Sequence, residues 1–174
     1  MRPCHAGTCQ IIGLNTNTGT YVGNSSGTNV DRSGMQWLKL QISADATTLA
    51  LADHGRFYDT NQTANPWWYY FPSIMVNCAG DMVAGFSGST ATTYASAFYT
   101  WRVSSGATLG QPRVIQPGTV TFAGTRWGEY SATSLDPTDD WNLWTVQQYA
   151  TSVPLSGISV NKWSTRIAKV RAGP

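Results

Sequence analysis

Glutamate occurs once in this chain, at Glu129, and lysine three times, at Lys39, Lys162 and Lys169. Only 11% of its 174 residues are charged. The strong surface helix formers are therefore nearly missing, which argues against a helical protein. No apolar run reaches the ~18 residues of a membrane-spanning helix. The formal charge is only +2, and the basic residues are scattered apart from a loose tail of Arg166, Lys169 and Arg171. Nucleic acid needs a clustered basic patch, so it is not an expected partner. His5 and His54 are the only histidines beside three cysteines, too few ligands for a zinc site. The opening MRPCHAGTCQ is basic but is followed by no apolar core, so it is not a signal peptide. An export signal is expected upstream in a longer protein, or Met1 is not the natural start.

What the chain does have is 12% aromatic residues, 17 glycines and many Thr and Ser, the makings of short strands and turns. Residues 1–34 read as an irregular polar segment with one strand near Ile11–Leu14; residues 35–174 read as strand after strand. Leu38, Leu40 and Ile42 alternate with Trp37, Lys39 and Gln41, the period of a strand with one buried face. Further strands are expected at 48–52, 69–76, 82–86, 97–103, 129–135, 141–146 and 163–170, with a short edge strand at 120–122. A small Cys4–Cys9 disulfide would suit an exported protein; the unbridged alternative stays open, and Cys78 is expected as a small buried hydrophobe.

Residues 71–77, FPSIMVN, align with residues 130–136, YSATSLD, at an offset of 59. Asp81 then falls on Asp140, and Met82 on Trp141. Each copy reads as strand, five-residue turn opening with Asn or Asp, strand. A hairpin repeated every ~40–60 residues points to propeller blades, with a generic antiparallel sandwich as the alternative.

The stretch from Arg126 to Asp140, RWGEYSATSLDPTDD, resembles the RWGDYS…DPxDD…FW pattern of large secreted bacterial proteins with sialidase-like (BNR-type) propellers. The likeness continues in Asn142-Leu143-Trp144-Thr145 and Trp163-Ser164-Thr165-Arg166-Ile167. Upstream it extends through Tyr94-Ala95-Ser96 with Arg102, Gly85-Phe86-Ser87, Gly80-Asp81 and Pro72-Ser73-Ile74, back to Gly55-Arg56-Phe57-Tyr58 and Trp37. Two departures matter. Glu129 stands where that family has Asp, and the strict Asp-box of true sialidases is missing. The resemblance is thus to propellers of mostly unassigned function rather than to a characterised glycosidase.

It implies an all-β fold, a partial β-propeller of about two to three blades, with the remaining blades of a longer chain as partners. It also implies a secreted or cell-surface protein. A sialidase-like site would draw on Arg102 and Arg126 as guanidinium forks, Tyr130 as nucleophile and Glu129 as base. The competing reading, which we favour, makes Arg102, Arg126 and Glu129 inter-blade ion pairs. Asp136, Asp139 and Asp140 crowd one turn and could bind calcium, the only cofactor considered. Asn77 fills the equivalent place uncharged, so a capping role for these carboxylates is the stronger reading. The run Trp67, Trp68, Tyr69, Tyr70 offers a sugar platform in Trp67, Trp68 and Tyr70, or packing between blades. The expected function is a non-catalytic binding or display module that contacts carbohydrate or a cell-surface protein. The alternative is a sialidase-like glycoside hydrolase fragment.

Overall fold

The computed structural model describes residues 15–16, 32–43, 45–60, 64–128, 131–155 and 157–173. Among them there is no helix, and every strand pairing is antiparallel. Among the described residues ten strands form three sheets. The first sheet holds β1 (Asn15–Thr16), β2 (Met35–Ile42) and β3 (Leu49–Phe57) in that order. The second is a four-stranded meander of β4 (Trp68–Val76), β5 (Met82–Ser89), β6 (Ser96–Arg102) and β7 (Arg113–Gln116). The third runs β8 (Ala132–Leu135), β9 (Leu143–Leu155), β10 (Ile158–Val170).

Alternation sends one face of the middle sheet to each neighbour. Even-numbered Phe86 and Phe98 meet Met35 and Tyr69 in an aromatic core beside Phe57 and Trp67. Odd-numbered Val83 faces the other way and packs with Leu143 and Val170 of the third sheet. The sheets are therefore layered in chain order, with β4 against β8 and β5 against β9. Hydrogen bonds cross this second interface, including Ser73 to Thr133 at 2.8 Å and Ser87 Oγ to the Gln148 carbonyl at 3.0 Å.

The repeated hairpin is present, with one change. Val76 pairs with Met82 across a five-residue turn, whereas Leu135 pairs with Leu143 across seven residues. The strand after the second turn thus begins at Leu143, not Trp141. The turns correspond all the same: Asn77 N–H donates to the Asp81 carbonyl at 2.9 Å, and Asp136 N–H to that of Asn142 at 2.8 Å. They also touch, since Cys78 N–H donates to the Asp140 carbonyl at 3.2 Å.

Two other expectations are corrected. The short strand on β6 is Arg113–Gln116, and residues 120–122 are irregular. Strands β9 and β10 are each 13 residues long and pair from Leu155–Ile158 onward, with Gly157 between them at φ 85°. Pro154 lies within β9, where its nitrogen can donate no ladder hydrogen bond. It is accommodated because β8 pairs with β9 only as far as Val146. The strand expected at 11–14 lies outside the described residues, next to β1.

Candidate functional site

Strand β4 opens the site. Regular alternation buries Trp67 and Tyr69: the Trp67 ring stacks on Tyr69 at 6.3 Å and meets Phe98 edge-on at 5.1 Å. Trp67 therefore belongs to the core, and only Trp68 and Tyr70 of the expected platform face outward. The register then slips between Tyr70 and Ser73, and Phe71 takes a left-handed φ of 50°. A bulky side chain seldom adopts that conformation, and a bulge breaks the strict alternation of faces. As a result Tyr70 and Phe71, consecutive residues, both line the same open groove of about 840 Å³. Their rings meet edge-on at 5.9 Å.

Tyr94, Phe122 and Trp127 complete the aromatic lining, while Ser89, Thr90, Thr92 and Thr121 supply hydroxyls. Trp127 meets Tyr70 edge-on at 6.2 Å and Phe122 at 5.1 Å. Its indole N–H is buried without a hydrogen-bond partner. Burial raises the Tyr70 hydroxyl above the usual phenol range, although a 3.3 Å hydrogen bond to Ser89 pulls the other way. Tyr70 therefore stays a neutral donor at physiological pH. Arg32 lines the groove but is itself buried, donating to the Asp59 carbonyl. No Asp or Glu is among the described residues that line the groove.

The other expected residues lie elsewhere or remain undescribed. Arg102 is not in the groove. Its guanidinium carbon sits 4.4 Å from the Trp37 ring centre, and Nη1 is 2.8 Å from Asp53 Oδ2. It thus ties β6 to β2 and β3. Arg126 is exposed on the loop before Trp127. Glu129 and Tyr130 lie outside the described residues, as do Cys4 and Cys9. Cys78, expected as a buried free thiol, is disulfide-bonded and only half-buried.

The acidic turn is organised around a cation. Lys169 Nζ lies 2.7 Å from Asp136 Oδ2 and 3.5 Å from Asp139 Oδ2. Asp136 also accepts from Thr138 N–H at 2.9 Å and from the Trp144 indole at 3.0 Å. Lys169 first, then Thr138, hold the Asp136 carboxyl well below the usual range. Hydrogen bonds from Asn142 and Trp141 lower Asp139 to about 2. Asp140 takes a left-handed φ of 56°. No three His, Cys, Asp or Glu side chains among the described residues are grouped to hold a metal ion.

The groove was only half legible in the sequence. Trp68 and Tyr70 were visible as outward members of an aromatic run. The missed signal was Phe71-Pro72, since proline inside a strand marks a bulge. No family model, curated protein or solved structure matches this chain.

Proposed function

We propose that this chain is a non-catalytic binding module of an exported, sialidase-like β-propeller protein, with the groove beside Trp68, Tyr70 and Trp127 as its ligand surface and carbohydrate as the ligand class. The observation that carries it is the composition of that groove. Aromatic faces suit the apolar faces of pyranoses, and hydroxyls suit their oxygens. Glycoside hydrolysis needs a pair of carboxylic groups or a base-assisted nucleophile. The described lining offers no carboxylate, and Tyr70 is held neutral. Arg102, the guanidinium expected for a sugar carboxylate, is committed to Trp37 and Asp53.

Three layered antiparallel sheets, each following the last in the chain, support the propeller architecture. So does the four-stranded meander β4–β7, the size of one blade.

Isothermal titration with neutral oligosaccharides (cello-, xylo- and chito-tetraose) and with 3′-sialyllactose tests the binding reading. Saturable binding that Trp68→Ala weakens at least about tenfold supports it. Turnover of fluorogenic sialosides or other glycosides that falls in Glu129→Gln would replace it with the hydrolase reading.

A further inference from the structure

The outer faces of the two end sheets both carry exposed apolar side chains, beside Lys169 on the third sheet and His54 and Arg56 on the first. On the third sheet, alternation puts Trp144, Val146, Trp163 and Ile167 on the side away from the middle sheet, with Ile167 opposite Val146. Ile167 is 62% exposed, Trp163 42% and Trp144 39%. On the first sheet, Trp37 points inward, so Leu40 and Ile42 point outward, opposite Leu51 and Leu49. Leu49 is 62% exposed and Leu51 55%. Large apolar side chains grouped on an exposed sheet face point to an interaction face.

The internal repeat says which face fits which. Val76–Met82 closes one hairpin as Leu135–Leu143 closes the other, so Val83 and Gly85 correspond to Trp144 and Val146. Val83 is fully buried because the third sheet covers it. Gly85 is covered by Thr145 and Gln147 of that sheet. Trp144 and Val146 thus occupy the positions of residues that the next sheet in the stack covers. Each sheet turns one face to its predecessor and the other to its successor. Among the described residues, no sheet lies on the first sheet's outer, predecessor-side face.

We propose that two copies of this chain associate head to tail, the outer face of the third sheet in one copy against the outer face of the first sheet in the other. The contact continues the stacking already present between the second and third sheets. It is heterologous, joining two different faces, and a two-fold axis relating the copies repeats it at both ends. Two copies bring six sheets together, within the range of about four to eight that closes a propeller and shields its open edges. A single substitution can be placed on each exposed face without touching the core: Ile167→Asp and Leu51→Asp.

Light scattering on the full chain over a wide concentration range tests this, with circular dichroism to verify that the variants fold. The wild type is expected to be a closed dimer, and each single variant to raise the dimer dissociation constant at least about tenfold. Mixing the two variants is expected to restore a heterodimer, because one unaltered pair of faces remains between them. A wild-type monomer at every concentration overturns the proposal. So does a dimer that only one of the two variants disrupts, since that would join like faces.

Discussion

The Arg102 guanidinium stacks 4.4 Å from the centre of the Trp37 ring while its Nη1 lies 2.8 Å from Asp53. Trp37 is sandwiched, for its indole also covers Gly55 directly across the strand pair. The stack couples the first sheet to the second away from the groove. Arg102→Ala is therefore expected to cost about 1–3 kcal/mol of stability through lost cation–π contact and packing, and to leave oligosaccharide binding unchanged. Arg102→Lys should recover only part, since a point charge cannot lie flat on the ring and reach Asp53 with the same fork. Urea unfolding and titration calorimetry on both variants check this; a large loss of binding with unchanged stability would return Arg102 to the ligand site.

The Lys169 cluster sets a pH dependence. Asp136 and Asp139 titrate below the usual carboxylate range in the folded protein. Their contribution is therefore fully present above the unfolded carboxylate value of ~4 and is lost as pH falls through the folded values. The melting temperature should drop steeply below pH ~4. Asp136→Asn is expected to flatten that drop and to lower stability at neutral pH, because Lys169 loses its nearer partner. Melting curves between acid and neutral pH decide it. A variant that melts with the wild-type acid profile would show that the cluster is not responsible.

Much of the architecture was readable from local pattern, and the failures have physical causes. Alternation located β2 and β6, whereas β4 and β5 were found as runs flanking the Asn77–Asp81 turn, because β5 is buried on both faces. The repeat exposed the two hairpins but hid the two extra residues in the second turn, since Asp140 and Trp141 mimic Asp81 and Met82 in type. The β9–β10 hairpin was missed because Ser156-Gly157 is a weak turn signal beside Pro154. In the groove, side-chain type identified Trp68 and Tyr70, while Trp67 looked equivalent until the phase of the strand was known. Phe71 joined them only through a left-handed backbone, which one-dimensional periodicity does not encode.

That backbone strain is itself testable. A phenylalanine at φ 50° stores about 1–3 kcal/mol. Phe71→Gly releases the strain and removes the ring, so the net stability change is expected to lie within about 1 kcal/mol. Binding of the oligosaccharide probes should nevertheless weaken at least about tenfold, because the ring is part of the lining. If binding holds while stability falls by several kcal/mol, Phe71 serves packing rather than the ligand.

The disulfide at Cys78 makes a parity prediction. Three cysteines with one intrachain bridge leave one free thiol. Alkylation under denaturing, non-reducing conditions should label one cysteine per chain, and peptide mapping should find Cys78 unlabelled. Reduction should lower the melting temperature, with a cost of about 2–4 kcal/mol for a long loop. Labelling of all three cysteines in protein made under oxidising conditions would refute the bridge.

Gly85 has the most demanding neighbourhood in the middle sheet. A Cβ there would run into the Gln147 amide and the Thr145 hydroxyl, both on fully buried side chains. Gln147 Nε2 donates to Thr145 Oγ1 at 2.8 Å and to Ser73 Oγ at 3.1 Å, and Thr133 lies 2.9 Å from Thr145. These hydroxyls and the amide form a polar seam between β4, β8 and β9, and the Gln147 carbonyl oxygen already lacks a partner. Gly85→Ala must push Gln147 aside and break bonds that water cannot replace. We expect a loss of about 2–4 kcal/mol, combining overpacking with unsatisfied polar groups. Gln147→Ala alone removes the same bonds and opens a void. In the double variant the new methyl occupies part of that void and the displaced amide is gone. The double variant should therefore be more stable than the sum of the single losses implies, with a coupling above about 1 kcal/mol. Denaturant midpoints at constant m-value measure it. Strict additivity would mean that the cost of a methyl at Gly85 does not come from the space it takes from Gln147.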